Sequence, residues 1–350
     1  MNRRQFLASL FGTSLSLTLM GCGEDLVVQD PCHPPPSADQ DWTPIQCPQG
    51  LEAVFDGRRL WVGDPATTTP LNTVIRFGFA TDLHFAERSS LRRHFSLGTE
   101  KLRRAVDRWN HARVDFAVMG GDYTDSDLTS SRHEAIADLK TIESVFDKLD
   151  APRYYALGNH DLDRLSKDDI LAHSAQTDLY HAFGYEGFRF IFLDPNYYAF
   201  DDDAHYRSGN FSYLHTWVNP QQLEWLRFQL RSYRRPTLIF CHQRLSRQGG
   251  HFINNAPDIR RLIADHPHVI AVFTGHSHIN ENERINGVHH FCMNDMVSHD
   301  EHGAHAVVHL FDGPYILVQG FDGQKTYLRQ LPGQLALPNS QASINTLSRR

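Results

Sequence analysis

Five apolar segments in this sequence each end in a polar turn. Their apolar, β-branched and aromatic residues, bounded by turn residues, are typical of short buried strands. The segment 114–119 stops at Gly120 and Gly121, and Asp122 follows. Glycines let the chain turn sharply, so we expect Asp122 to lie at the edge of a sheet rather than in a core. The polar residues at the five ends are Asp82 and His84; Asp122; Asn159, His160 and Asp161; His242; and His276 and His278.

Helical segments separate these strands in the first half of the chain. Thr99–Asn110 has apolar residues at helical spacing, with Thr99 as the predicted N-cap, and Arg132–Leu149 has a second apolar stripe. Strands that alternate with helices predict parallel strands joined by helical crossovers. In such sheets a site forms at the carboxyl ends of the strands.

The second half of the chain predicts a second sheet. Its segments are strands at Gly187–Leu193, Pro236–Cys241 and Val269–Phe273, helices at Pro220–Tyr233 and Pro257–Ala264, and antiparallel strands at Val288–Cys292, Ala304–Phe311 and Tyr315–Phe321. We therefore predict an α/β fold: a four-layer αββα sandwich, in which two mixed β-sheets flanked by helices carry a site at the strand carboxyl ends.

The side chains at the strand ends favour a metal site. Carboxylate, imidazole and amide oxygen bind hard-to-borderline divalent cations, and the absence of thiolate indicates Mn, Fe or Zn. The pairs Asp82/His84 and His276/His278 are two residues apart, so each pair points one way if the backbone is extended. With 22 histidines in the chain, many must have other roles. Core or turn histidines would explain each segment, but not the series.

Taken in order, the five motifs resemble the calcineurin-like metallophosphoesterase superfamily. They are Asp82-x-His84, Gly121-Asp122, Gly158-Asn159-His160-Asp161, His242 and Gly275-His276-x-His278, and they are most similar to the bacterial branch with class III cyclic-nucleotide phosphodiesterases. The resemblance implies two divalent metal ions, either Mn, Fe, Zn or a mixed pair. It places one cation on Asp82, His84 and His278, the other on Asn159, His242 and His276, and Asp122 between them.

The resemblance also implies a metal-dependent phosphoric ester hydrolase. A metal-bridging hydroxide would attack a small phosphomonoester or phosphodiester in line, and the sequence leaves open which of the two is the substrate. His160 would protonate the leaving group or steady the phosphoryl oxygens, and Asp161 would hold its ring. The alternative is a non-catalytic metal-binding lipoprotein scaffold of the same fold.

Two further features near the motifs have alternative explanations. Asp125 stands where the purple acid phosphatase branch has an iron-binding Tyr, so we expect a divalent centre without ferric colour. Asp125 itself either hydrogen-bonds a metal-bound group or faces solvent. An arginine could grip a substrate phosphate, although a solvated helix face explains the same residues; the candidates are Arg88, Arg92, Arg93, Arg103 and Arg104.

The N-terminal residues resemble an export signal. Arg3 and Arg4 precede a modest apolar run, as in twin-arginine signals, and the run ends in a lipobox-like sequence at Cys22. We expect an exported, periplasmic or cell-envelope protein with a lipid anchor at Cys22; an uncleaved anchor and a secreted protein with an accidental Cys are the alternatives. The predicted divisions are residues 1–21 as signal, 22–70 as tether and lead-in segment, 71–330 as metallophosphoesterase domain and 331–350 as tail.

Cysteine use and charge limit the partners. Cys32 and Cys47 lie in the tether and could form a disulfide in an exported protein, whereas Cys241 and Cys292 lie in apolar runs and are predicted to be inert core thiols. A net charge of −7 without a long basic run makes bulk nucleic-acid binding unfavourable. Nothing in the sequence indicates an oligomeric state.

Overall fold

The computed structural model describes residues 53–63, 67–88, 93–126, 130–198, 215–247, 251–298 and 303–331. The predicted signal, most of the tether and nearly all of the tail lie outside these ranges. Cys22, Cys32, Cys47 and Arg92 do as well, so the predictions that concern them are not described further. Within the described ranges, no helix has the length and apolar character needed to span a membrane.

The described residues form fourteen strands and five α-helices. The strands are β1 (Ala53–Phe55), β2 (Arg59–Val62), β3 (Leu71–Ala80), β4 (Phe116–Met119), β5 (Arg153–Tyr155), β6 (His181–Tyr185), β7 (Phe188–Phe192), β8 (Thr237–Phe240), β9 (Val269–Thr274), β10 (Glu281–Ile285), β11 (Val288–Cys292), β12 (His305–Phe311), β13 (Tyr315–Phe321) and β14 (Tyr327–Gln330). The helices are α1 (Gly98–Ala112), α2 (Arg132–Phe146), α3 (Lys167–His173), α4 (Pro220–Ser232) and α5 (Ala256–Ala264).

The strands form two mixed sheets. In the first sheet the order β1-β2-β3-β12-β13-β14 is joined by β4 on β3 and β5 on β4, and β3, β4 and β5 are parallel. The second sheet has the order β10-β11-β9-β8-β7-β6. Its four inner strands are parallel and its two outer strands antiparallel. The prediction that β11 begins an antiparallel series with β12 and β13 was wrong, because β11 pairs in parallel with β9 and lies in the other sheet.

Aromatic side chains fill the space between the sheets. Phe77 of the first sheet lies edge-on against Phe190, Phe240 and Phe273 of the second, with ring centroids 5.7 to 6.2 Å apart. Helices α1 and α2 pack on the outer face of the first sheet, and α4 and α5 pack on the outer face of the second. The predicted four-layer αββα sandwich is therefore confirmed.

Helix α1 buries the predicted stripe but begins differently. Leu102, Val106 and Trp109 are buried as expected. The predicted N-cap at Thr99 was wrong: a 3-10 turn, Phe95–Leu97, runs directly into the helix, and no side chain caps its first turn. Gly98 at the junction lies so close to Phe85 that a Cβ there would be 3.1 Å from its side chain. Close packing against Phe85, rather than a side-chain cap, thus accompanies the start of this helix.

Several polar strands and one short helix were not predicted from the sequence. Strands β6, β10 and β14 lie at sheet edges, where a strand buries one face and needs few apolar residues. Helix α3 has only seven residues. The hairpin β1–β2 lies in the segment predicted as tether and lead-in, yet β2 pairs with β3 and Leu60 packs in the cluster that contains Leu317 and Leu328. The first sheet thus begins before residue 71.

Several histidines are core residues rather than ligands. Burial lowers the pKa of His290 and His305 to about 4 and that of His309 to about 3. Around His309, Gln319 contacts Nε2 at 3.2 Å and the nearby charge of Arg76 lowers the pKa further. Buried imidazoles of this kind stay neutral at physiological pH.

The substitution His309→Gln is expected to reduce the loss of stability in acid. The unfolded chain takes up a proton at His309 below about pH 6.5, whereas the folded protein does so only near pH 3, so stability falls with pH across that window. At about pH 5 this histidine lowers the free energy of unfolding by about 2 kcal/mol relative to neutral pH. Urea unfolding at both pH values, with the exposed His133→Gln as control, measures the difference. If the stability of wild type and variant depended equally on pH, His309 would not be the buried neutral histidine described here.

Candidate dimetal site

All predicted ligands lie at one edge of the sandwich. The first sheet contributes Asp82 and His84 after β3, Asp122 after β4 and Asn159 after β5. The second sheet contributes His242 after β8 and the pair His276 and His278 after β9. Their side chains are buried except that of His278, which is 21% exposed. The carboxyl ends of the parallel strands bring them together, as the alternating pattern predicted.

Five of these residues have left-handed backbones. The φ angles are 54° at Asp82, 47° at His84, 51° at Asp122, 68° at His276 and 53° at His278. The assumption of an extended backbone for the two pairs was therefore wrong: Asp82 and His84 lie together, whereas His276 and His278 belong to different ligand clusters. Non-glycine residues adopt this conformation at a cost of about 1–3 kcal/mol each and do so mainly at functional sites. Backbone hydrogen bonds hold it here, from Asp82 N to Gly121 O at 3.0 Å and from His84 N to Asp122 O at 2.8 Å.

The first ligand cluster consists of Asp82, His84 and His278. His278 Nε2 lies 3.2 Å from Asp82 Oδ1 and 3.2 Å from His84 Nε2. His84 Nε2 is 3.7 Å from Asp82 Oδ1. One donor atom of each residue therefore faces a common point.

The second ligand cluster consists of Asp122, His242 and His276. His242 Nε2 lies 2.8 Å from Asp122 Oδ2 and 3.3 Å from His276 Nδ1. Asn159 is fully buried in the neighbouring turn, where the backbone N of His160 donates to Asp122 Oδ1 at 2.7 Å. Asp122 Oδ2 also lies 3.8 Å from His84 Nε2 of the first cluster. A single carboxylate oxygen thus faces both clusters.

Two glycines make this close approach feasible. A Cβ at Gly158 would lie 2.1 Å from both the backbone N and Oδ1 of Asp122. A Cβ at Gly275 would lie 2.3 Å from Asp82 Oδ2 and 2.1 Å from Thr81 Oγ1. Because Cβ atoms do not tolerate such distances, any side chain at either position would displace a carboxylate of the site.

Neighbouring groups select the free nitrogen of two imidazoles. Nδ1 of His84 lies 2.9 Å from Asp125 Oδ2, and Nδ1 of His242 lies 2.9 Å from the carbonyl oxygen of Gly120. Both acceptors favour a proton on Nδ1, which leaves Nε2 with a lone pair directed at the clusters. Of the two alternatives for Asp125, hydrogen bonding within the site is the one observed, since this side chain is buried against His84.

The electrostatics favour positive charge between the ligands. Burial opposes ionisation of Asp82, but His242 and His278 outweigh it and hold its pKa well below the usual range. Burial likewise lowers the pKa of His242, yet Asp122 and Asp82 raise it to about 9. Burial and the neighbouring His242 lower the pKa of His276 to about 3. The carboxylates thus retain a proton on His242, and a bound cation would replace it.

The donor spacing fits divalent cations. Around a cation bound at about 2.1 Å, adjacent donor atoms lie about 3.0 to 3.4 Å apart. The closest contacts within the two clusters are 2.8 to 3.3 Å. Oxygen and imidazole donors at this spacing suit Mn, Fe or Zn.

The family follows from a comparison with known proteins. The model of the calcineurin-like phosphoesterase family matches residues 75–280, which include all seven predicted ligands. The chain belongs to this family. The family is one of metal-dependent phosphoric ester hydrolases, and the resemblance found in the sequence is confirmed.

Individual relatives of this phosphoesterase are distant. A manganese-dependent ADP-ribose/CDP-alcohol diphosphatase of Arabidopsis thaliana is 29% identical over 102 residues, which are 27% of this chain and 32% of that protein. The match thus spans about a third of the relative's length. A dimetal phosphatase from Danio rerio superposes with a TM-score of 0.64 at 17% identity over 75% of this chain and 100% of the other. GAP50, the anchor in the inner membrane complex of Plasmodium, superposes with a TM-score of 0.51 at 14% identity, over 76% of this chain and 95% of the other. Both structures share the fold.

The predicted partner of His160 was wrong. Asp161 does not contact the His160 ring: its carboxylate accepts hydrogen bonds from the backbone amides of Asp122, Tyr123, Thr124 and Gly158 at 2.9 to 3.0 Å. Asp161 therefore fixes the loop that carries Asp122.

Asp163 is the residue that contacts the ring of His160. Its Oδ2 lies 3.1 Å from His160 Nδ1. Burial lowers the pKa of His160, but Asp122 and Asp163 raise it to about 9. The spacing His160-x-x-Asp163 within one short 3-10 turn was the available signal for this pair.

The arginines divide into two groups. Arg103 and Arg104 pair with Glu100 on the exposed face of α1, so the solvated helix face is the correct explanation for both. Arg88 and Arg93 instead donate to Asp125 beside the first cluster. The guanidinium groups of Arg88 and Arg93 therefore lie near the site, each held by the carboxylate that supports His84.

The cysteines of the described sheets lie outside this chemistry. Cys241 and Cys292 are buried and unpaired with one another. Burial raises the pKa of the Cys292 thiol to about 12 and that of Cys241 further. Thiols of this kind do not ionise at physiological pH, which agrees with the prediction of inert core residues.

Proposed function

We propose that this phosphoesterase binds two divalent cations between its sheets and hydrolyses small phosphomonoesters, phosphodiesters or diphosphates. The observation that carries the proposal is the position of Asp122 Oδ2, which faces His242 at 2.8 Å in one cluster and His84 at 3.8 Å in the other. A carboxylate shared in this way reduces the repulsion between two closely spaced cations.

Each ligand has a proposed place. Asp82, His84 and His278 would hold the first cation, Asn159, His242 and His276 would hold the second, and Asp122 would serve both. Bound cations supply an activated water nucleophile and neutralise the phosphoryl oxygens.

His160 is the proposed proton donor of the reaction. Its ring lies 4.9 Å from the His84 ring, and its side chain is 21% exposed, so it borders both the clusters and the solvent. Asp163 contacts Nδ1 and so orients the ring, and the imidazole would protonate the departing oxygen.

The relatives guide the choice of substrates and metal. The Arabidopsis protein is a manganese-dependent diphosphatase of ADP-ribose and CDP-alcohols, which supports testing Mn²⁺ and diphosphates here. The decisive assay compares p-nitrophenyl phosphate, bis-p-nitrophenyl phosphate and ADP-ribose with Mn²⁺, Fe²⁺ or Zn²⁺, alongside metal analysis of the isolated protein. We expect two cations per chain and turnover of at least one substrate. Two bound cations without turnover of any substrate would instead favour the non-catalytic scaffold.

Export of the protein with a lipid on Cys22 stays a prediction from the sequence. We propose that the reaction takes place in the periplasm or cell envelope, where extracellular phosphoesters would be the substrates. Fractionation of cells that produce the full chain checks this: recovery in the cytoplasm would exclude it.

A further inference from the structure

Gln243 lies at the centre of a buried chain of amide side chains behind Asn159. Its Nε2 is 3.2 Å from Asn159 Oδ1 and 2.9 Å from Asn196 Oδ1. All three residues are fully buried. Both distances are normal for hydrogen bonds, and together they use the two hydrogens of the Gln243 amide group.

The orientation of this chain is fixed at its far end. Nδ2 of Asn196 faces the carbonyl oxygen of Leu157 at 2.8 Å and Asp194 Oδ1 at 3.0 Å. The carbonyl oxygen of Leu157 only accepts hydrogen bonds, so the NH₂ group of Asn196 must point at it. Buried Lys167 donates to the other oxygen of the carboxylate, Asp194 Oδ2.

Each amide then determines the orientation of the next. Since the NH₂ group of Asn196 faces Leu157 and Asp194, its Oδ1 faces Gln243. Gln243 must meet that oxygen with its own NH₂ group, whose second hydrogen points at Asn159. Asn159 can accept this hydrogen only through Oδ1, because a reversed amide would place two NH₂ groups against each other.

We propose that Gln243 is a positioning residue that holds the amide of Asn159 in the orientation needed to bind the second cation. The inference rests on the ligand role proposed for Asn159. An amide binds a cation through its oxygen, and its NH₂ group would repel the cation. The oxygen has two lone pairs, so a hydrogen bond from Gln243 leaves one for the cation. Without Gln243 both orientations of Asn159 become accessible, and only one of them binds.

The test measures cation binding rather than turnover. Titration calorimetry of the metal-free protein with Mn²⁺ is expected to resolve two binding events in the wild type. Gln243→Met retains the length of the side chain without a donor, and it should weaken one event by about 10- to 100-fold while leaving the other unchanged, as loss of an outer-shell partner does. Gln243→Asn, which is too short to reach both partners, should act in the same direction and serves if the Met variant does not fold.

A second buried glutamine provides the matched control. Gln229 accepts a hydrogen bond from Arg189 and lies on α4, among none of the site residues. Gln229→Met should lower thermal stability but leave both binding events intact. If folded Gln243 variants bind both cations as tightly as wild type, the positioning role is overturned while the proposed function stands. If wild type itself binds fewer than two cations, both are overturned.

Discussion

Asp122→Asn is expected to lower kcat by about a thousandfold or more with Mn²⁺ and any substrate that the wild type turns over. Loss of several kcal/mol of charge stabilisation corresponds to a factor of this size. Asparagine has the same shape and keeps an oxygen for the hydrogen bond from the His160 backbone at 2.7 Å, so the loop should persist. The missing negative charge faces both clusters, and the variant should therefore lose affinity at both cation positions. Kinetics combined with metal analysis measures the two effects.

Substitution of an exposed acid provides the control for this result. Asp107 lies on the solvent face of α1 with a side chain 61% exposed, so Asp107→Asn should leave metal content and kcat unchanged. A folded Asp122→Asn protein that keeps two cations and wild-type turnover would refute the shared-carboxylate arrangement. Loss of one cation alone would assign Asp122 to a single cluster.

His160→Gln is expected to lower kcat by about 10²- to 10⁴-fold for substrates with alkoxide leaving groups, the range for a general acid. The loss should be much smaller for p-nitrophenyl esters, because p-nitrophenolate leaves without a proton. Metal content should be retained, since His160 is not one of the proposed ligands. Comparison of kcat for the two substrate types, with metal analysis of the same samples, measures the effect.

The dependence on the leaving group separates the two roles considered for His160. A residue that only steadies the phosphoryl oxygens would affect both substrate types alike. Asp163→Asn should also lower kcat more for alkoxide leaving groups than for p-nitrophenolate, but by a smaller factor, because this carboxylate orients the ring through Nδ1 at 3.1 Å. Reduced metal content in His160→Gln would contradict the proton-donor assignment and place the ring among the ligands.

The candidate site was predictable because its signal is chemical as well as positional. Acid, amide and imidazole residues at the ends of successive parallel strands were expected to meet at one edge of the sandwich, and the structure places Asp82, Asp122 and His276 there. The left-handed backbone of these residues could not be predicted, since hydrogen bonds between loops distant in sequence hold it. For the same reason Gln243 was missed: its amide has a role only because Asn196, 47 residues away, fixes the polarity of the chain.

The fold was predictable where burial was strong. Apolar strands such as β8 and β9 and the stripe on α1 are recognisable from composition and spacing. Edge strand β10 was not recognisable, because Glu281 and Glu283 on it form ion pairs with Arg244 instead of entering a core. The wrong partner predicted for His160 has a local cause. Four backbone amides donate to the Asp161 carboxylate and hold it away from the ring, and the sequence does not show where those amides point.

The proposed cations would act as cross-links between the two sheets. Each cluster takes ligands from both: Asp82 and His84 meet His278, and Asp122 meets His242 and His276. Between the sheets lies an apolar layer rich in phenylalanine rings, whose burial is not directional. Metal bonds at one edge would fix the relative shift of the sheets, much as a disulfide fixes two chain segments. The loaded protein would then unfold at a higher temperature than the metal-free one, with both sheets melting together.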